Sequence, residues 1–501
     1  MKRIIKLTAL VLLINLTAWA QNTSEKPNII WIMAEDIGHD FACYGMEAVK
    51  TPNFDKLAED GTIYYNAFGT ATICSTNRSA MMIGTHQLKT NTMHHRSNRN
   101  VELQNPFKPF TYWLKKEGYT TILGHHGVQA KGRKTDCNFK YTPIGTWEEN
   151  RGLFDKNDHF EEADQPFFAQ VQLNVTHRGG WWTNIRNKSE HPVSVDDVVL
   201  PPYYADTPEI RLDWAKYLDQ IEYADNEMGM IIQELKDKNM LDNTIIVVIG
   251  DNGRCNLRGK GYLQDPAIRI PLIVKWAKDF EHKDESDQII ASTDITATIL
   301  DLAGAELPEY LTGRSFIRKD FDRKSVYSYR GLWDEVMEDM YAVSDTRYRY
   351  VKNNKPELAY DAHQAYLEFY RPAVHVMRTL NEAGKLNDYQ KIFFEDHKPK
   401  EEFYDLKNDP YELNNLATNP KYKKLIKKYR KEAEKYTKEM VSADDTYEPV
   451  TAYAVEVYQY VKKEYPEAYK RMQAGEEIGF GKFNKKYKKL KAAQEKEKGT
   501  K

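Results

Sequence analysis

Three short runs, apolar almost throughout, constrain this chain more than anything else in its 501 residues: Asn28 to Ala34 (NIIWIMA), Pro166 to Leu173 (PFFAQVQL) and Thr244 to Ile249 (TIIVVI). A run of this length without polar alternation reads as a strand buried on both faces, as in a parallel sheet. Each run stops at residues that carry chemistry. Glu35 and Asp36 follow the first, Asn174 to His177 the second, and Gly250-Asp251-Asn252-Gly253 the third. Open α/β sheets bind ligands beyond the carboxyl ends of their strands, so these junctions are expected to form a site. Two adjacent acids repel unless a cation lies between them. The alternative for Glu35 and Asp36 is a solvated pair of loop acids.

The stretch Ala71 to Arg96 (ATICSTNRSAMMIGTHQLKTNTMHHR) adds a thiol at a helix start. The spacing predicts a helix from Ser75 to Thr85, with Cys74 just before it. A helix start offers unpaired N–H groups and a partial positive charge, which favour an anion. Arg78 lies one turn on and faces the same side. The alternative is a buried cysteine beside a surface arginine. His94, His95 and Arg96 close the stretch. Histidines ligate metals, but a hard cation prefers oxygen, so an anion or sugar contact is the favoured expectation and a plain loop surface the alternative. Phe110 to Glu117 reads as a helix stopped by Gly118, and Thr120 to Gly124 as the next strand. Thr207 to Leu241 holds a long helix whose apolar residues recur at core spacing.

These pieces together resemble the type I sulfatases. The family's C-x-P-x-R, followed by a helix rich in small residues, is matched by Cys74-Ser75-Thr76-Asn77-Arg78 and SAMMIGTH, with Thr76 where Pro or Ala is usual. Thr51 to Leu57 resembles T-P-N-L-D-x-L, Gly250 to Gly253 resembles S-D-N-G, and Arg258-Gly259-Lys260 resembles R-G-K. Ile268 to Val274, Ser292 to Ile295, Leu311 to Ser315 and the segment Glu402 to Ala417 match further elements, the last two looking closest to a sulfamidase-like branch. The resemblance runs from about Asn28 to Ala417. It implies that a formylglycine-generating maturation enzyme oxidises Cys74 to formylglycine. It implies Ca²⁺ held by Glu35, Asp36, Asp251 and Asn252 beside residue 74, with Glu35 standing where the family has Asp. Arg78 and Lys260 then contact the sulfate. The family's Gly-Lys-x-His is replaced by Gly124-His125-His126-Gly127 and, after a basic insertion, Lys134-Thr135-Asp136-Cys137-Asn138-Phe139, so its Lys role falls to Lys134 or His125. His177 matches the end of a His-x-x-His whose first position is Asn174, and it suits the general acid for a leaving alcohol, with a hydrogen-bonded structural histidine as the alternative. Arg178, Trp181 and Trp182 beside it suit a sulfated sugar, with core packing as the alternative for the two tryptophans.

The implied fold is α/β and alkaline-phosphatase-like: a mostly parallel sheet sandwiched by helices, then a smaller C-terminal α+β domain with an antiparallel sheet. Tyr341 to Val351 alternates and reads as strand of that second sheet. The expected division is a signal peptide over 1–20, a catalytic domain over 21–340 and a C-terminal subdomain over 341–501. The signal reading rests on Lys2, Arg3 and Lys6, an apolar core from Leu7 to Leu16 too short to span a bilayer, and Ala18-Trp19-Ala20 as the cleavage site. No later stretch is long and apolar enough for a transmembrane helix. The expected location is therefore the periplasm or the outside of the cell. A formal net charge of −2 gives no global pull toward nucleic acid, and four cysteines do not make a disulfide scaffold. The Lys-rich tail reads as a solvated face or a frayed end. The implied function is hydrolysis of sulfate esters, or N-sulfate, of a sulfated oligosaccharide or polysaccharide. A phosphate-ester or phosphonate hydrolase of the same superfamily and an inert glycan-binding relative are the alternatives.

Overall fold

The computed structural model describes residues 26–278, 280–281, 284–441, 448 and 453–499. The expected signal peptide lies outside the described residues. The first apolar run forms β1 (Asn28–Ala34), and all of it is buried. The chain continues through β2 (Thr62–Phe68), β3 (Thr120–Leu123), a small parallel pair β4 (Thr142–Ile144) and β5 (Gly152–Phe154), β6 (Phe167–Leu173), β7 (Thr244–Gly250), β8 (Leu272–Lys275) and β9 (Glu285–Ala291). Seven of these strands form one sheet in the order β3-β6-β1-β7-β8-β2-β9. Neighbours β3, β6, β1 and β7 run parallel, β8 is antiparallel to β7 and β2, and β9 is parallel to β2.

The lack of polar alternation in β1 has a direct cause. Ile30, Ile32 and Ala34 enter one core, while Ile29, Trp31 and Met33 enter the other, so both faces are covered. The Pro208–Asp237 helix covers the first face through Ile210, Trp214, Leu218, Ile221 and Met228. Its start is set by Pro208 and by Thr207, whose hydroxyl accepts from Ile210 N–H at 3.3 Å. The Cys74–Ile83, Phe110–Lys116 and Ser292–Leu302 helices cover the second face with Met81, Ile83, Phe110, Leu114, Ile295 and Ile299.

The second sheet is antiparallel in sequence order: β10 (Val326–Trp333), β11 (Val336–Ser344), β12 (Tyr348–Asn353) and β13 (Glu401–Asp405). The expected strand Tyr341 to Val351 is two strands. Asp345 turns the chain between them, its carboxylate accepting from the N–H groups of Arg347 and Tyr348 at 2.8 and 2.7 Å. The Lys423–Met440 helix lays Ile426, Tyr429 and Ala433 on this sheet.

The tail beyond it is not frayed. The Tyr453–Glu464, Pro466–Gln473 and Phe480–Gly499 helices close a small core of Val457, Val461, Met472 and Phe483 around Phe369. Aromatic residues spaced among the lysines give that face its cohesion, and the lysines occupy the outer face. All four cysteines are free thiols. Among the described residues no helix is long and apolar enough to cross a membrane.

Candidate active site

Strand register brings the three junctions level. Ala34 lies opposite both Leu173 on β6 and Gly250 on β7. The residues just beyond therefore converge on one point. Asp251 N–H donates to Ala34 O at 3.0 Å, and Ile37 N–H to Asn252 O at 3.2 Å, which laces the β1 and β7 ends together. Asp36 N–H donates to Asp251 Oδ1 at 3.0 Å, and Asn252 Nδ2 to Asp36 Oδ1 at 2.9 Å. Carboxylate oxygens of Glu35, Asp36 and Asp251 lie within 4.8 Å of one another, and all three residues are fully buried.

This donor set fits a hard divalent cation. Every candidate atom is oxygen, and two of them, Asp36 Oδ2 and Asn252 Oδ1, are buried and among the described residues have no hydrogen-bond partner. The carboxylates are meanwhile balanced by three cations. Lys134 Nζ sits 2.6 Å from Glu35 Oε1, Lys260 Nζ 2.7 Å from Asp36 Oδ1, and Arg78 Nε 3.0 Å from Asp251 Oδ2. Burial opposes charge on Asp36 and on Glu35, yet Lys260 in the first case, and Lys134 and Arg78 in the second, hold both carboxyls below their ordinary values. Burial wins at Asp251, helped by Glu35 and Asp36 and only partly countered by Arg78, so its carboxyl is raised.

Cys74 is the first residue of its helix, one residue earlier than the sequence spacing predicts. The chain enters through an extended Ile73 (φ −138°, ψ 138°) and leaves at Gly84 in the left-handed region (φ 72°). A Cβ on Gly84 would come within 2.7 Å of a Leu311 methyl, so glycine is required for space as well as for φ. All ten residues of the helix are buried, which its small side chains permit. Arg78, one turn from Cys74, also reaches Glu35 Oε1 at 3.2 Å, the backbone oxygen of Lys134 at 3.3 Å, and Gln172 Oε1. The thiol is raised by burial, against the pull of Lys260 and Lys134. Its sulfur lies 3.6 Å from Asp136 Oδ2.

His177 follows β6 and its short turn. Nδ1 donates to the backbone oxygen of Arg178 at 3.1 Å, which leaves Nε2 facing the site, 3.9 Å from Glu35 Oε2. Burial pushes the imidazole down to about 4, against the pull of Glu35 and Asp36. Cys74, His95, Arg96, His177, Trp181 and Lys260 line one cleft of about 480 Å³.

Other expected residues sit elsewhere or do other work. His125 does not approach Cys74. Its Nε2 is 2.9 Å from Glu234 Oε2 and its Nδ1 accepts from Gly127 N–H at 3.1 Å, while His159 holds the other Glu234 oxygen at 2.6 Å. The insertion carries the chain away from the site at His125 and returns it at Lys134, so Lys134 alone of the two stands beside Glu35. His94 is buried structure, its Nδ1 accepting from Leu332 N–H at 3.0 Å. His95 anchors the Cys74 helix through Ser75 Oγ at 2.8 Å from Nδ1. Trp182 is fully buried, donates from Nε1 to His177 O at 2.9 Å and lies under Arg178, 4.4 Å from its ring to the guanidinium. It is core and not a sugar platform. Arg178 lines the cleft but is buried and paired with Asp213. Trp181 lies on the cleft wall, its ring 6.4 Å from His177.

Sequence reasoning misses several groups. Gln172, the polar residue inside an apolar strand, is visible as an anomaly of that run. Asp136 is visible within the Lys134 segment. Trp333, Asp334 and Tyr366 line the cleft from the second half of the chain, and Glu477 to Lys482 close it from the tail. No local pattern marks these.

Known proteins resemble this chain over most of its length. The family model described as Sulfatase matches residues 27–305, and that described as N-sulphoglucosamine sulphohydrolase, C-terminal, matches residues 253–361. An ulvan-active sulfatase of Formosa agariphila is 30% identical over 80% of this chain and 73% of its own. The human N-sulphoglucosamine sulphohydrolase is 25% identical over 80% of this chain and 88% of its own. The solved structure of a 2-O GAG sulfatase superposes with a TM-score of 0.59 at 17% identity, covering 83% of this chain and 93% of that one, which shows the fold.

Proposed function

This chain belongs to the sulfatase family and is a sulfuric ester hydrolase, and from that premise we propose that it desulfates a carbohydrate outside the cytoplasm, using formylglycine derived from Cys74 and one Ca²⁺. One observation carries the reading: a nucleophile position at a helix start, an oxygen-only cation site and three donors of positive charge meet at the level ends of β1, β6 and β7. The named activities of the ulvan-active and sulphoglucosamine relatives support a sulfated glycan as substrate. The aromatic lining of the cleft suits a sugar ring. Export rests on the N-terminal segment of the sequence.

Glu35, Asp36, Asp251 and Asn252 would hold the cation, which when bound supplies Lewis-acid polarisation of a sulfuryl oxygen. Formylglycine, once formed at residue 74, supplies a hydrated aldehyde as the nucleophile. The remaining work belongs to the chain. Arg78 fixes the geometry of the Cys74 turn against Asp251 and Glu35. Lys134 and Lys260 place two ammonium groups where negative charge grows on the sulfuryl oxygens, in a buried setting that needs no reorganisation. The imidazolium form of His177, a minor species near neutral pH because burial lowers its pKa to about 4, carries the Nε2 proton that passes to the leaving oxygen, its ring held by the Nδ1 bond to Arg178 O.

The experiment is expression with a formylglycine-generating enzyme, mass spectrometry of the Cys74 peptide, and a panel of sulfated oligosaccharides set against aryl sulfates and aryl phosphates. Formylglycine at 74 with glycan desulfation is the expected result. Turnover by protein with an unmodified thiol refutes the nucleophile. Preference for phosphate esters refutes the substrate.

A further inference from the structure

The Ala365–Tyr370 helix brings to the cleft a side chain with no part in the steps above. Tyr366 lines the cleft with Cys74 and Lys260, and its ring packs on the cluster of Ile73, Cys74 and Trp333. The ring is held on several sides. It lies against Tyr370 with centroids 4.5 Å apart. The preceding Gln364 donates from Nε2 to Trp333 O at 3.3 Å and to Asp334 Oδ2 at 3.2 Å, and Ala365 N–H donates to Glu335 Oε1 at 2.5 Å.

Against this fixed frame the Tyr366 hydroxyl is set apart by its place on the cleft that holds Cys74 and Lys260. It is buried, and among the described residues it has no hydrogen-bond partner. Native structures pair most buried hydroxyls with protein or ordered water, and a role in a functional site is one reason for an exception. The charges around it identify the missing partner. Lys260 and Arg96 line the same cleft as the phenol. Lys260 is anchored by Asp36 at 2.7 Å, and Arg96 lies 3.5 Å from Asp136 with its own Nε buried and without a hydrogen-bond partner. Burial raises the phenol well above its ordinary value, so the oxygen keeps its proton and stays a donor. An ammonium, a guanidinium and a phenolic O–H share one wall of the cleft. All three donate, and an anionic oxygen is the acceptor that satisfies them together.

We infer that Tyr366 is a substrate-binding residue whose hydroxyl donates to a non-bridging oxygen of the substrate's sulfate group, beside Lys260 and Arg96. The inference deepens the sulfatase reading and rests on it for the identity of the anion.

Tyr366→Phe removes the hydroxyl and keeps the ring packing. The first measurement is calorimetric binding of inorganic sulfate to the full-length protein, which requires no turnover. The expected result is a Kd raised about ten- to hundredfold in the variant, the range for a hydrogen bond to a charged group. The second is aryl sulfate hydrolysis by the matured enzyme. KM and the inhibition constant of sulfate rise by the same factor while kcat stays within about threefold, because the bond forms equally to ground and transition states. Melting at or above the wild-type temperature shows that the fold is intact. Unchanged sulfate affinity in the variant overturns the inference, as does wild-type protein that binds no sulfate. If the variant loses sulfate affinity while wild type turns over no sulfate ester, the anion site stands and the catalytic reading falls.

Discussion

The floor and the wall of the cleft are built by different means. The floor (Glu35, Asp36, Asp251, Asn252 and Cys74) follows directly from strand ends and one helix start, and backbone register alone levels its parts. The wall comes from segments distant in sequence: Trp181 after β6, Trp333 at the end of β10, Tyr366 on a short helix, and Glu477 to Lys482 in the tail. Phe480 ties these last two together, its ring 5.2 Å from Phe369 and 6.0 Å from Tyr370. The floor is rigid, buried and charged, which suits bond chemistry. The wall is aromatic and, Trp333 apart, partly exposed, which suits reading whatever is attached to the sulfate. Changes to the floor, and to the Tyr366 hydroxyl that faces the sulfate, are therefore expected to act on every substrate alike, and changes to the rest of the wall to act on glycans above small aryl sulfates.

The largest expected effect is on the floor. Cys74→Ala should lower turnover of all sulfate esters by about four orders of magnitude or more, with melting unchanged, because it deletes the nucleophile and little volume. Comparable residual activity on any one substrate would break the idea of a shared floor. Asp251→Asn comes next. It should abolish binding of Ca²⁺, read by elemental analysis, and cost about a hundred- to thousandfold in turnover. Chelation of the wild type should do the same, reversed by Ca²⁺ and not by Zn²⁺.

The neighbouring tryptophans sharpen the comparison within one helix, Trp181–Lys188. Trp182→Ala should destabilise the fold by about 3–5 kcal/mol, seen in denaturant unfolding, since it empties a fully buried site. Trp181→Ala should leave stability nearly intact and lower glycan kcat/KM about tenfold, with aryl sulfate unaffected. Phe480→Ala should act in the same sense and more weakly, about threefold, by loosening the tail against the wall. Equal losses on glycan and aryl sulfate would erase the distinction between wall and floor.

The smallest effect on turnover belongs to a group that supports the floor from behind. Glu227 is buried on the long helix and accepts from Gln129 N–H at 2.7 Å, in the insertion that leads to Lys134. Burial raises its carboxyl to about 7. Its folded value lies above its unfolded one, so the folded state binds more protons between about pH 4.5 and 7, and stability falls as pH rises through that window. Glu227→Gln should remove that slope and leave the protein up to about 3 kcal/mol more stable at pH 8. Turnover per folded molecule should not change.

Much of the floor is legible in the sequence alone. The continuous apolar runs announce strands covered on both faces, and their abrupt ends announce where chemistry sits. Cys74 with Arg78 is legible because a helix turn fixes their relation. The His125 alternative fails because the insertion between His125 and Lys134 is a loop, and the path of a loop depends on what it packs against: Glu234 and His159 hold one end, Glu35 the other. Trp181 and Trp182 show the same limit at one-residue resolution. The two are equal candidates in sequence, and helix rotation against the Pro208–Asp237 helix sends one into the core and the other to the cleft.

The sequence by itself determined a helix-covered, mostly parallel sheet with an oxygen-rich cluster of side chains and a thiol at its strand ends, because those depend on short-range periodicity and on residues adjacent to strands. Tertiary structure alone decided that Lys134 and not His125 reaches Glu35, that Trp182 is core, and that a Lys-rich tail closes the cleft. It alone left the Tyr366 hydroxyl without a partner among the described residues, in the cleft that it lines with Lys260. Such contacts join segments up to hundreds of residues apart, and their existence depends on how whole elements pack, which no local pattern encodes.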